Sequence, residues 1–250
     1  MLSQAIWWSS AVLEALVLIR GVRGRLVLHY PVFYGYIFFV LSQSILRALV
    51  LRWYQGAYGP LYWTTEFLGL AIGCWIVFEI YQVALAPYPG TAKMARKVLL
   101  FLLVMALARA ISEFWSDPHI LSDTTALQAE RSLRTFQAVA ILALVLLFVS
   151  YSIPFGRNLR GILLGYGFFI GERVICLTFV SERERDFWFY AYSASYIAAL
   201  GLWLGHLWSY QPSPELSGKL GLELEYQRIA AATQRRLREA RSYLRKVARS

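Results

Sequence analysis

The chain has 250 residues, of which 58% are apolar and only 16% charged, against roughly 45–50% apolar and about 25% charged in soluble domains. A soluble fold of this size could not hide that surface, so the bilayer is the expected solvent. The formal charge of +10 would suit nucleic acid if the cations formed one patch. They stand instead beside the ends of apolar blocks, the placement that orients membrane helices, and no nucleic-acid partner is expected.

In chain order, helix 1 is expected from about Gln4 to Ile19, ending in Arg20, Arg23 and Arg25. It lacks the leading basic region of a cleavable signal and reads as an uncleaved span. Helix 2 covers about Tyr30 to Leu51, with Pro31 in its first turn, where the missing N–H has no partner anyway. Helix 3 runs from about Leu61 to Leu85 and stops at Ala86-Pro87-Tyr88-Pro89-Gly90. Helix 4 spans about Val98 to Trp115, after the basic loop holding Lys93, Arg96 and Lys97. A long loop from Ser116 to about Arg131 precedes helix 5, expected over Leu133 to Ile153. Helix 6 covers about Leu159 to Val180, and the charged hinge from Ser181 to Asp186 leads to helix 7, about Phe187 to Tyr210.

The expected fold class is therefore all-α: a polytopic membrane protein with a seven-transmembrane-helix bundle over 1–211 and a tail over 212–250. Lysine and arginine favour the side shared by the 1–2, 3–4 and 5–6 loops and the tail. The other side has Arg52, Arg131, Arg134, Arg183 and Arg185. This places the C-terminus in the cytoplasm and the N-terminus outside, most simply in the plasma membrane. Trp7, Trp8, Trp53, Tyr54, Tyr62, Trp63, Trp115 and Trp188 then fall near the outer interface. Gly69 and Gly73, Gly161 and Gly165, Gly167 and Gly171, and Gly201 and Gly205 are small-xxx-small pairs, which predict close packing of helices 3, 6 and 7.

In the tail, Leu222, Tyr226, Ile229, Leu237, Ala240, Leu244 and Val247 fall along one helical face amid arginines. Such a basic amphipathic helix lies on anionic inner-leaflet lipids or docks on a protein partner.

Charged residues inside the spans carry the functional signal, because each costs at least about 2.5–3.5 kcal/mol near the bilayer centre. Arg47, Glu66, Arg109, Glu113, Glu172 and Arg173 are expected at one height, toward the outer side of helices 2, 3, 4 and 6. They form either an outward-facing cavity for a small polar or zwitterionic ligand, with Trp63, Trp115 and Tyr190 at its mouth, or a structural ion-pair network. Glu14 and Glu79 lie closer to the cytoplasm and are candidates for a proton or ion path.

Nothing points to catalysis, a metal or a cofactor. Cys74 and Cys176 fall within helices, and His29, His119 and His206 have no metal or haem spacing. No Gly-x-Ser-x-Gly, His-Glu-x-x-His or phosphate-cradling loop is present. Lysine occurs only at Lys93, Lys97, Lys219 and Lys246, so helix 7 cannot form a retinal Schiff base. The expected role is a sensor or receptor-like bundle that signals through its tail. The alternatives are a small-solute transporter or channel and a structural subunit.

Overall fold

The computed structural model describes residues 2–116, 123–150, 156–179 and 185–211, and residues 224, 227–229, 231–233 and 235–236 of the tail. Among them stand seven long α-helices and no strand: α1 (Leu2–Arg23), α2 (Pro31–Trp53), α3 (Tyr58–Ala84), α4 (Pro89–Ser116), α5 (Asp123–Ser150), α6 (Arg157–Phe179) and α7 (Arg185–His206). Four of these, α2, α3 with the turn before it, α5 from Ala126, and α6, are long and apolar enough to cross a membrane. The distribution of polarity agrees with lipid contact. Phe38, Trp75, Phe101, Met105, Leu146 and Phe168 are exposed, whereas Glu130, Arg134, Gln137 and Asn158 are buried, the reverse of a water-soluble surface.

Contacts between side chains give the register. Arg47 near the end of α2 reaches Thr65 and Glu66 near the start of α3, while Glu79 near the end of α3 reaches Val32 and Phe33 at the start of α2, so the two are antiparallel. Along α3 and α5, Glu66 meets Arg134, Leu70 meets Gln137 and Tyr81 meets Ala140, so these run parallel. Helix α1 packs between α2 and α7, α7 against α6, and α6 against α5. Helix α4 stands outside this ring, along α5 and the flank of α3.

Two helix starts differ from those expected, with consequences for the site. Helix α4 begins at Pro89, which supplies a first-turn φ and lacks the N–H that would be orphaned there. Lys93, Arg96 and Lys97 are therefore helical rather than in a loop. Helix α5 begins at Asp123, ten residues before the expected Leu133. Apolar length marks where lipid begins, whereas polar residues such as Gln128 and Glu130 continue a helix readily. Glu130 and Arg131 thus belong to α5, with Arg134, and not to a loop.

The glycine pairs divide by face. A methyl group on Gly165 would collide with the Trp203 indole and one on Gly161 with His206, so α6 presents its bare backbone to α7. One on Gly73 would meet Tyr166 Oη at 2.6 Å and Gln137 Nε2 at 2.9 Å. Gly171, Gly201 and Gly205 face open space. The close approach of α6 to α7 therefore uses the glycines of α6 alone.

Candidate functional site

The buried ionic residues form one alternating chain across four helices. On α2, Arg47 donates to Thr65 Oγ1 from Nε (2.8 Å) and Nη2 (2.6 Å), to the Tyr62 carbonyl at 3.1 Å, and to Glu66 at 3.3 Å. The second Glu66 oxygen lies 3.3 Å from Arg134 Nη2 on α5. Arg134 Nε lies 3.5 Å from Glu130 one turn earlier. Glu130 accepts two bonds from Arg173 on α6, at 2.9 and 3.1 Å. The order Arg47–Glu66–Arg134–Glu130–Arg173 places each carboxylate between two guanidinium groups and ends in a cation on both sides. It contains one more cation than anion. Aromatic faces take up part of that excess: Arg47 lies 4.4 Å from the Tyr62 ring centroid and Arg173 4.5 Å from that of Tyr192.

Part of this chain lines one side of a cavity of about 240 Å³ bordered by α1, α2, α3, α5, α6 and α7, room for on the order of eight waters. Arg47, Glu66 and Arg134 form its ionic wall, Glu14 projects from α1, and Tyr36, Tyr192 and Tyr196 supply aromatic sides. Among the described residues, two buried polar groups at this cavity are incompletely bonded. Arg134, 3% exposed, has no hydrogen-bond partner at Nη1 or Nε. Glu14, 1% exposed, accepts a 2.8 Å bond from the Tyr196 hydroxyl at Oε1 and has no partner at Oε2. Leaving such groups unsatisfied costs about 1–3 kcal/mol each, more when charged, so they are where a polar guest gains most.

The remaining charged residues are placed elsewhere. Glu172 accepts from Ser195 at 2.8 Å and from the Cys176 thiol at 2.6 Å, on the α6–α7 contact and outside the ionic chain. Arg109 lies on the exposed face of α4, and the Glu113 side chain falls outside the described residues. Of the six residues expected in one layer, five have described side chains: Arg47 and Glu66 pair directly, Arg173 joins them through Glu130 and Arg134, Glu172 bonds Ser195 and Cys176, and Arg109 lies on the exposed face of α4. Sequence reading missed Glu130, Arg134 and Gln137. Their signal is the stripe Glu130, Arg134, Gln137, Ile141, Leu144, Phe148, at alternating spacings of four and three, which is one helix face and is buried throughout.

Glu79 has a specific local task. Its two oxygens accept the Val32 and Phe33 N–H groups at 2.8 and 2.9 Å, so α2 is capped by a carboxylate from a neighbouring helix, with Pro31 supplying no donor of its own. At the same end Arg20 donates to the Leu204 carbonyl at 2.8 Å and stacks 3.5 Å over Trp208. Asn158 donates to the Ser209 carbonyl at 2.9 Å and accepts from Gln211 N at 2.7 Å. His29 stacks on Tyr210 at 3.6 Å, and His206 Nδ1 lies 3.0 Å from the Leu202 carbonyl. The segment after α7 is thereby tied to α1, to the α1–α2 connection and to α6 just before the tail.

The tail face from Leu222 to Val247 lies mostly outside the described residues. Of it, Leu224 and Ile229 are helical and exposed. Trp115 and its place at the cavity mouth also fall outside the described side chains. No family model matches the chain, and comparison with curated proteins and with solved structures finds no significant match, so its chemistry is read from its own residues.

Proposed function

We propose that the chain is a seven-span plasma-membrane receptor whose cavity binds a small zwitterion of amino-acid size and reports its occupancy through α7 to the tail. One observation carries this reading: Arg134 and Glu14, each with a buried side-chain atom that has no partner among the described residues, line a single 240 Å³ cavity. A ligand carboxylate on Arg134 offsets the surplus cation of the ionic chain and satisfies the orphaned N–H, a charge-assisted bond of the stronger kind. A ligand ammonium on Glu14 satisfies the free oxygen.

Two features favour a receptor over a carrier. Beyond the cavity, Phe33, Ile37, Tyr166 and Trp203 are buried against one another, with Phe33 edge-on to Trp203 at 5.0 Å. A carrier needs a polar path between the two faces, and this packed aromatic and aliphatic group does not favour one. Helix α7 also joins the two ends: Tyr192 and Tyr196 line the cavity, and the same helix leads to the Arg20–Trp208 contact from which the tail departs. A ligand that bridges α5 and the α1–α7 pair biases the helix that carries the tail, which is the differential contact a two-state response requires.

The test is calorimetric titration of the purified full chain in lipid nanodiscs with a panel of amino acids and, separately, of simple carboxylates and amines. Amino-acid binding that E14Q weakens, in protein with an unchanged melting temperature, supports the reading. Absence of binding across the panel, or binding indifferent to E14Q, overturns it. Solute uptake into proteoliposomes would replace the receptor by a carrier.

A further inference from the structure

A second cavity lies on the lipid-facing side of the bundle, away from the ionic chain. Because α4 packs chiefly along α5, it leaves a groove of about 750 Å³ against α3. The α3 wall runs from Ala71 through Trp75 and Phe78 to Leu85, and the α4 wall from Leu103 back to Lys93. Fourteen residues of helix on the α3 side give a length of about 21 Å, more than one leaflet's share of a hydrocarbon core roughly 30 Å thick. The lining is apolar over most of that length and turns polar at one end only, where Gln82, Lys93 and Arg96 stand.

We propose that this groove binds an anionic phospholipid, with an acyl chain along Trp75, Phe78 and Leu100 and the phosphate between Lys93 and Arg96. Charge decides the class of occupant. Lys93 and Arg96 are exposed, one turn apart on the same face of α4. Neither forms an ion pair with a carboxylate among the described residues. A zwitterionic lipid would bring its own cation to two that are already unpaired, whereas a net-negative headgroup offsets them. The apolar wall explains why the occupant is a lipid and not a free phosphate: an inorganic anion would leave Trp75, Phe78, Leu99 and Leu103 without a partner. A soluble protein helix would need to enter the hydrocarbon to reach Ala71.

The experiment is native mass spectrometry of the full chain in mild detergent, titrated with phosphatidylglycerol or phosphatidylcholine of matched acyl chains. One phosphatidylglycerol should stay bound in preference to phosphatidylcholine. K93Q/R96Q should weaken that binding about fivefold for each cation removed, and R157Q/R160Q should leave it unchanged. Equal retention of the two lipids, or equal weakening by both double variants, overturns the proposal, because the attraction is then diffuse. Should K93Q/R96Q fail to fold, cross-linking of wild-type protein with a phosphatidylglycerol carrying a diazirine in its acyl chain keeps the question open to refutation. Adducts within 71–85 and 92–103 support the groove, and adducts confined elsewhere overturn it.

Discussion

Arg173 on α6 holds Glu130 on α5 by two parallel bonds, 2.9 Å from Nε and 3.1 Å from Nη2, and Glu130 is 1% exposed. Because Glu130 also faces Arg134, its loss leaves Arg173 without a carboxylate and Arg134 with Glu66 alone, both in a largely nonpolar setting. Removing one partner of a buried ion pair costs about 3–5 kcal/mol. E130A should therefore lower the melting temperature of the detergent-solubilised protein sharply. Adding R173M should restore part of it, since the second substitution removes one of the stranded charges. Equal melting of E130A and wild type would show that the pair contributes nothing.

The cap on α2 predicts a purely structural phenotype. E79A leaves the Val32 and Phe33 N–H groups without their acceptor and should destabilise the protein by about 0.5–2 kcal/mol, the range for loss of a helix cap. Ligand binding at the distant cavity should be unchanged. If Glu79 instead carries protons or ions, E79Q in proteoliposomes will alter flux with little change in stability.

Glycines of α6 and α7 should respond oppositely. G165A and G161A force a methyl group into Trp203 and His206, and overpacking of this kind costs about 1–3 kcal/mol. G201A and G205A enter open space and should be neutral or slightly stabilising, since Ala favours helix by about 1 kcal/mol over Gly. Thermal melts of the four variants check this directly.

Tyr196 orients Glu14 through the 2.8 Å bond. Y196F removes that donor while keeping the ring, and should change zwitterion affinity about tenfold, the effect of one hydrogen bond to a charged group. The melting temperature of the empty protein should also fall, since the buried Glu14 loses the one bond it accepts. Calorimetric titration beside thermal melts separates the two effects.

Much of the fold is legible along the chain. Apolar blocks between Pro/Gly clusters place the seven helices, four of them long and apolar enough to cross a membrane, because a run of apolar residues is detected without knowing any neighbour. Boundaries were less legible. The first ten residues of α5 are polar enough to read as loop, yet helix geometry carries Glu130 and Arg134 inward on the face that Ile141, Leu144 and Phe148 continue. Arg109 and Arg134 illustrate the limit: both are arginines within apolar helices, one exposed and the other 3% exposed.

Composition and order alone thus determined an all-helical chain with apolar spans and a costly set of interior charges. Which charges pair, and that Arg134 and Glu14 share a cavity while Glu79 caps a helix, was decided by tertiary structure. The physical reason is rotational: hydropathy averages around a helix, whereas the direction a side chain points is fixed only when neighbouring helices settle against it.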